Sequence, residues 1–534
     1  MNTGLFRLIM LLVLMSSPAC APDKWRVFNY DDNRILRGET ARPVDIPEPV
    51  RPELTRSPAF EIPIDGGPLD LSIEMAAMLA LGRNRDLQVR QLNPVIAGTF
   101  EQIERGVFDP ELFAESEYLE EQAMETSRAT GEQFSVDGND SSTIAGIRQK
   151  LPTGTTLEAS IAQQRSISNR TPEEQDARIG LSLTQSLLQG FGPAVNLVSV
   201  RQAEIGTTAS LYELRGFVEA MLAETEIAYW NFVLAKKEVT IFDQSLAIAK
   251  QQLDEVEQQI AVGLLPKVEA AASRAEVARR EQALIEARSL IEERRLKLLR
   301  LTNPESENGF DRRINATSEP AIDPEPIRDL ADRLELAGRW RPDLNEARLR
   351  LKQNRLETIV TKNGLLPRLE LFAALGQTGY ADSFSDSFKE INGDTYDFSI
   401  GIRFSRNLGN RAAKATDLAA RVSVRQAAEA VDNLAQIVQL DVRLAANEVE
   451  RSRQQIAASR VTRILQEKTL EAENERFKVG SSTSLLIAQA QRDLLAASIA
   501  EVMSVVNYRI ALVRLSLAEG TLLERRGVKL ADGL

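Results

Sequence analysis

Tyr396-Asp397-Phe398-Ser399-Ile400-Gly401-Ile402-Arg403-Phe404-Ser405 alternates residue by residue, with Tyr396, Phe398, Ile400, Ile402 and Phe404 on one face and polar or small residues on the other. A period of two is that of a β-strand. Aromatics at the ends of the apolar row and aliphatics between them match a strand whose outer face meets lipid and whose inner face lines a polar lumen. A few residues on, the 69 residues from Arg411 to Val479 contain neither Gly nor Pro. As one helix they would run about 100 Å at 1.5 Å per residue. A half-buried strand of a soluble sheet would show the same alternation, but a soluble sandwich has no use for so long an extension.

Working outward, Leu369 to Tyr380 is the partner strand, joined through a polar loop at 382–395. Glu111 to Leu119 and Ile179 to Gln185 take the same parts earlier in the chain. Glu111, Glu115 and Glu117 fall on one face of the first of these and are candidates for an acidic lumen or a solvated rim. Lys150-Leu151-Pro152-Thr153-Gly154-Thr155 is a turn between weaker strand patterns near 143–150 and 155–163. These either widen a barrel or form an external hairpin. Ala194 to Val262 is a second long stretch without Pro, in which Leu246, Ala249, Leu253, Val256 and Ile260 step by three and four as a coiled-coil seam does.

The chain is one unit written twice. Leu79–Leu87 answers to Leu336–Leu344, Val200-Arg201-Gln202-Ala203 to Val424-Arg425-Gln426-Ala427, and Ala261-Val262-Gly263 to Lys478-Val479-Gly480. The first repeat covers 69–303, with strands near 110–120 and 178–188, a long helix near 194–262 and a return helix 264–303. A Pro-rich linker, 304–325, leads to the second repeat, 326–522, with strands near 368–380 and 396–406, a long helix near 411–479 and a return helix 481–519. A short tail, 523–534, follows. The expected class is mainly α with a small β-barrel part.

Among 534 residues there is no histidine and one cysteine, which excludes Ser-His-Asp and Cys-His catalysis, His-dependent zinc sites and internal disulfides. A net charge of −12 argues against nucleic acid as a partner. The one cysteine, Cys20, ends a segment with Arg7, the apolar run Leu8–Met15 and Ser16-Ser17-Pro18-Ala19. That layout is a secretory signal, and it resembles a bacterial lipoprotein signal: residues 1–19 would be removed and Cys20 acylated. Ser17 stands where such signals usually carry Leu; Ala21 after the cysteine implies delivery to the outer membrane. Residues 20–68 hold eight of the 21 prolines and read as an extended arm. Arg279-Arg280 and Arg294-Arg295 read as exposed helix charges, and Trp230 and Trp340 as packing residues.

The order short helix, strands, very long helix, Gly turn, return helix, given twice over residues 69–522, resembles the TolC-like outer-membrane efflux protein family. The most specific stretch is Arg476-Phe477-Lys478-Val479-Gly480-Ser481-Ser482-Thr483-Ser484-Leu485-Leu486-Ile487-Ala488-Gln489-Ala490-Gln491, which is similar to the family's turn and following helix start. The resemblance implies a homotrimer whose strands close one barrel of twelve strands or more, continued by an α-helical barrel through the periplasm. It implies a periplasmic adaptor protein and an inner-membrane pump as partners, outer-membrane lipid around the strands, and no cofactor. The turns at Gly263, Leu264 and at Gly480, Ser481, Ser482, Thr483 would form the periplasmic tip. There the family commonly narrows on acidic residues; here Leu486 stands at the acid's place, Gln489 follows, and only Glu269 of the first repeat is kept. An aperture closed by an apolar and neutral ring is the expectation. The function so implied is a passive exit duct of a tripartite efflux or type I secretion system, not an enzyme; the alternative is a non-conducting lipoprotein scaffold spanning the periplasm.

Overall fold

The computed structural model describes residues 68–169, 172–303, 309–320, 324–392 and 395–528. All lie in the unit Ile46–Leu534. The signal segment, Cys20, nearly all of the arm and the last residues of the tail fall outside the described residues.

The chain opens with β1 (Leu69–Leu71), α1 (Ile73–Arg83) and α2 (Leu92–Gly106). Four strands follow: β2 (Glu111–Thr126), β3 (Gln133–Lys150), β4 (Thr155–Ser168) and β5 (Glu174–Ser186). Then come α3 (Val198–Ala261), α4 (Glu269–Thr302) and β6 (Ile314–Ala316). The second half holds α5 (Leu330–Trp340), α6 (Pro342–Asn363), β7 (Arg368–Ala381), β8 (Tyr396–Ser405), α7 (Arg411–Lys478) and α8 (Ser484–Glu519). With 64 and 68 residues, α3 and α7 are unbroken. At 1.5 Å per residue they are about 95 to 100 Å long.

Six strands form one antiparallel sheet in the order β2-β3-β4-β5-β7-β8. The two early strands read from the sequence as a pair, β2 and β5, are therefore not neighbours. The Lys150–Thr155 turn joins β3 to β4 inside the sheet, and both are hydrogen-bonded along their length to β2 and β5. The turn is tied down at the helical end of the sheet. Asn196 Nδ2 donates to the carbonyls of Pro152, Gly190 and Gly192 at 3.0, 2.8 and 3.1 Å, and Gly192 N donates to Thr153 O at 3.0 Å.

The helices pair by apolar seams. In α7, Val442, Val449 and Ile456 recur every seven residues and pack on Tyr508, Ala511 and Leu515 of α8. Midway along the helices a parallel pair, β1 with β6, covers Tyr229, Trp230, Leu298 and Val506. Tyr229 Oη donates to Leu71 O at 3.1 Å and accepts from Ser318 N at 2.9 Å, so the buried hydroxyl of this cluster is satisfied. Beside it three glutamates are closed off from solvent, and each is held by arginine: Glu219 by Arg215 at 3.1 Å, Glu226 by Arg526 at 2.5 Å, Glu519 by Arg333 and Arg525 at 2.5 and 2.6 Å. Glu226–Arg526, together with Arg215–Glu524 at 2.6 Å, clamps the segment after α8 onto α3.

Candidate functional site

Two regions carry functional geometry: the tip where the long helices turn back, and the two faces of the sheet. Both tip turns close identically. Gly263 and Gly480 have φ of 83° and 75°, left-handed conformations that glycine adopts without strain. After α3, Gly263 N donates to Ile260 O at 3.0 Å and Leu264 N to Gln259 O at 2.9 Å; after α7, Gly480 N donates to Phe477 O at 3.0 Å and Ser481 N to Arg476 O at 2.8 Å. This is the Schellman closure, which satisfies the last helical carbonyls. Thr483 then caps α8 by accepting from Leu486 N, and Ser482 Oγ donates to Glu473 Oε2 at 2.7 Å.

The two turns meet through one polar contact, Ser484 Oγ donating to the Glu269 carboxylate. Glu269, at the start of α4, is thus engaged with the start of α8. One to two helical turns further in, Arg492 of α8 lies 3.4 Å from Glu276 of α4, and Arg280 lies 2.7 Å from the same carboxylate. Arg280, read from the sequence as an exposed charge, is buried, and burial holds its pKa below the ordinary arginine value. Around the tip Val262, Leu264, Val268, Val479 and Leu485 are all exposed. Leu486 is 46% exposed and Gln489 is exposed as well.

Register fixes the two faces of the sheet, because directly paired residues share a face. Tyr396, Phe398, Ile400, Ile402 and Phe404 share theirs with Leu369, Leu371, Ala373 and Leu375 of β7. On the opposite face, Glu370 pairs with Arg403 and Phe372 with Gly401; Arg403 lies 5.5 Å from the Phe372 ring. The same pattern recurs in the first half: Glu111 pairs with Arg148, Phe113 with Gly146, and Arg148 lies 4.8 Å from the Phe113 ring. In both places a side chain on the glycine would collide with the phenyl ring, at 2.9 Å and 2.4 Å.

Residues 334–521 match the family profile described as outer membrane efflux protein. That stretch of the chain is similar to an outer membrane efflux protein domain. No curated protein sequence matches the chain. Among solved structures, the Campylobacter jejuni CmeC outer membrane channel is 17% identical and superposes with a TM-score of 0.64 over 86% of this chain and 87% of its own. The open state of the Neisseria gonorrhoeae MtrE outer membrane channel gives 18% and 0.61 over 86% and 91%, and the outer membrane protein VceC of Vibrio cholerae gives 15% and 0.62 over 84% and 96%. These likenesses extend the efflux-protein fold over both halves of the chain.

In the efflux-protein frame, the tip residues picked from the sequence, Gly263, Leu264, Gly480, Ser481, Ser482 and Thr483, lie in the two helix-reversal turns, and Glu269 is brought to the second turn through Ser484. The Phe–Gly–Arg stacks inside the sheet went unread. Their signal was present, since Glu-Leu-Phe and Gly-Ile-Arg occur as Glu111-Leu112-Phe113 with Gly146-Ile147-Arg148 and again as Glu370-Leu371-Phe372 with Gly401-Ile402-Arg403.

Proposed function

We propose that three copies of this chain form a passive exit duct in the outer membrane, continued into the periplasm by the long helices, as part of a tripartite efflux or type I secretion system. The observation that carries the reading is a sheet with an apolar outer face and two unpaired edges, joined without a break to helices of about 100 Å. Lipid tolerates no open sheet edge, so such a sheet must close with further copies. The helices offer matching surfaces: Leu92, Ile96, Phe100 and Ile103 form an exposed apolar stripe on α2, as do Leu418 and Val422 near the start of α7. Energy comes from an inner-membrane pump, reached through a periplasmic adaptor that grips the exposed apolar residues of the tip turns. Leu486 and Gln489 from three copies narrow the tip as an apolar and neutral ring.

Purified protein in planar bilayers is expected to give discrete conductance steps, and Leu486→Ala with Gln489→Ala to enlarge them. Silence in lipid under every condition would leave the scaffold reading in its place. Unchanged steps in the double variant would sink the ring while leaving the duct intact.

A further inference from the structure

We propose that the membrane wall built by three copies has eighteen strands, because each chain supplies three membrane-spanning hairpins: β2–β3, β4–β5 and β7–β8. This rests on the trimeric duct reading above and goes beyond it. The occupant of each open edge is a second copy of this chain, the free edge of β2 in one copy meeting the free edge of β8 in the next.

Three observations carry the assignment. First, an apolar band crosses the outer face of all six strands, bounded by polar residues such as Ser116, Thr143 and Gln163. Followed through the register, the row of β7 and β8 continues as Ile179, Leu181 and Leu183 on β5, Leu157, Ala159 and Ile161 on β4, Ala145 and Ile147 on β3, and Leu112, Ala114 and Tyr118 on β2. Leu112, Tyr118, Ile147, Ile161 and Ile179 are exposed in the single chain, as are the residues of the β8 row. An external hairpin would stand in water and would have no reason to continue an apolar belt on one face while placing Asp140, Arg148, Glu158 and Gln164 on the other.

Second, the turn between β3 and β4 is anchored at the helical end of the sheet by Asn196, so the hairpin cannot swing away from the wall without breaking those hydrogen bonds. Third, β2–β3 repeats β7–β8 residue for residue at one level. Glutamate faces arginine, leucine faces isoleucine and phenylalanine faces glycine, in the same order and the same register. If β7–β8 is wall, β2–β3 is wall built to the same pattern, and β4–β5 is needed to join it to α3 and β7. For strands about 4.8 Å apart and tilted about 40°, eighteen close a backbone cylinder about 36 Å across, against about 24 Å for twelve. The outer mouth is then wider than a four-strand contribution would give.

Cysteine pairs separate the two walls. In the eighteen-strand wall Ala114→Cys with Ala145→Cys, and Ala159→Cys with Leu181→Cys, are direct neighbours and cross-link on oxidation in native membranes. Ala114→Cys with Leu181→Cys lie three strand spacings apart, about 14 Å, beyond the reach of a disulfide. If β3–β4 stood outside the wall, β2 would abut β5, the last pair would cross-link and the first two would not; that result overturns the proposal. Electron cryo-microscopy of the assembled protein is expected to count eighteen strands, and a count of twelve overturns it independently of any variant. Failure of the underlying trimer is read separately, from the mass of the detergent-extracted assembly. A dimer would close twelve strands from the same six-stranded sheet, with the first two cross-links intact.

Discussion

At the residue scale, backbone geometry and buried charge set what can change. Gly480 lies at φ 75° with open space where a Cβ would go, so its alanine variant suffers only the left-handed backbone penalty of about 1–2 kcal/mol. Gly480→Ala should therefore loosen the tip locally, seen as faster amide exchange in the last turn of α7, with the midpoint of global unfolding unchanged. Gly379 differs: a Cβ there would sit 2.1 Å from Ser387 O, so Gly379→Ala must displace the segment between β7 and β8. Glu219 presents a titration. Burial pushes its carboxyl up to about 7 against the opposing pull of Arg215, with Glu524 adding to the rise and Arg341 reducing it. The native state then holds a proton that the unfolded chain releases in the ordinary carboxylate range near 4.5, so this group lowers stability as pH rises from about 4.5 to about 7. Denaturation midpoints of Glu219→Gln should fall less steeply than wild type between pH 5 and pH 7. Parallel curves would show that the side chain is ionised throughout.

At the element scale, the strands and the long helices were unequally legible. β8 announced itself because its outer row is all large apolar residues, whereas the outer rows of β3 and β4 contain Thr143, Ala145, Ala159 and Gln163, too small or polar to mark a face. Their inner rows blur the contrast further, since Ile144 and Ala162 face inward. Pairing supplied what periodicity lacked, and pairing between distant strands is not written in either one alone. The tip turns were legible because a Gly after a long helical pattern has one common use. The burial of Glu276 and Arg280 was not: an i,i+4 ion pair looks the same on a solvated face, and it takes the packing of neighbouring helices, with Arg492 of α8 at 3.4 Å from Glu276, to close this one off. Charge placed on the two faces of β8 separates them. Ile400→Arg, mid-row on the lipid side, should cost about 2–4 kcal/mol in lipid-embedded unfolding. Ser399→Arg, on the inner face, should cost little, and equal costs would mean that the face assignment is wrong.

At the scale of the whole molecule, the single chain is unfinished in a way that specifies its completion. Its sheet has two free edges, and its helices carry apolar stripes that no described residue of the same chain covers. Edges and stripes make separable demands. In lipid the edges require strand pairing, which on the trimeric reading comes from neighbouring copies, and on the same reading the stripe Leu92, Ile96, Phe100 and Ile103 on α2 is covered by another copy's helices. Phe100→Asp with Ile103→Asp places two charges in that contact and leaves the chain's own cores untouched, because neither residue belongs to a buried cluster. The double variant should keep its helical circular dichroism while its detergent-extracted mass falls from about three chains toward one, since unpaired charges at a packed apolar contact cost several kcal/mol. Sheet edges strong enough to hold the ring alone would preserve the trimer, and assembly would then be driven from the membrane wall rather than from the helices.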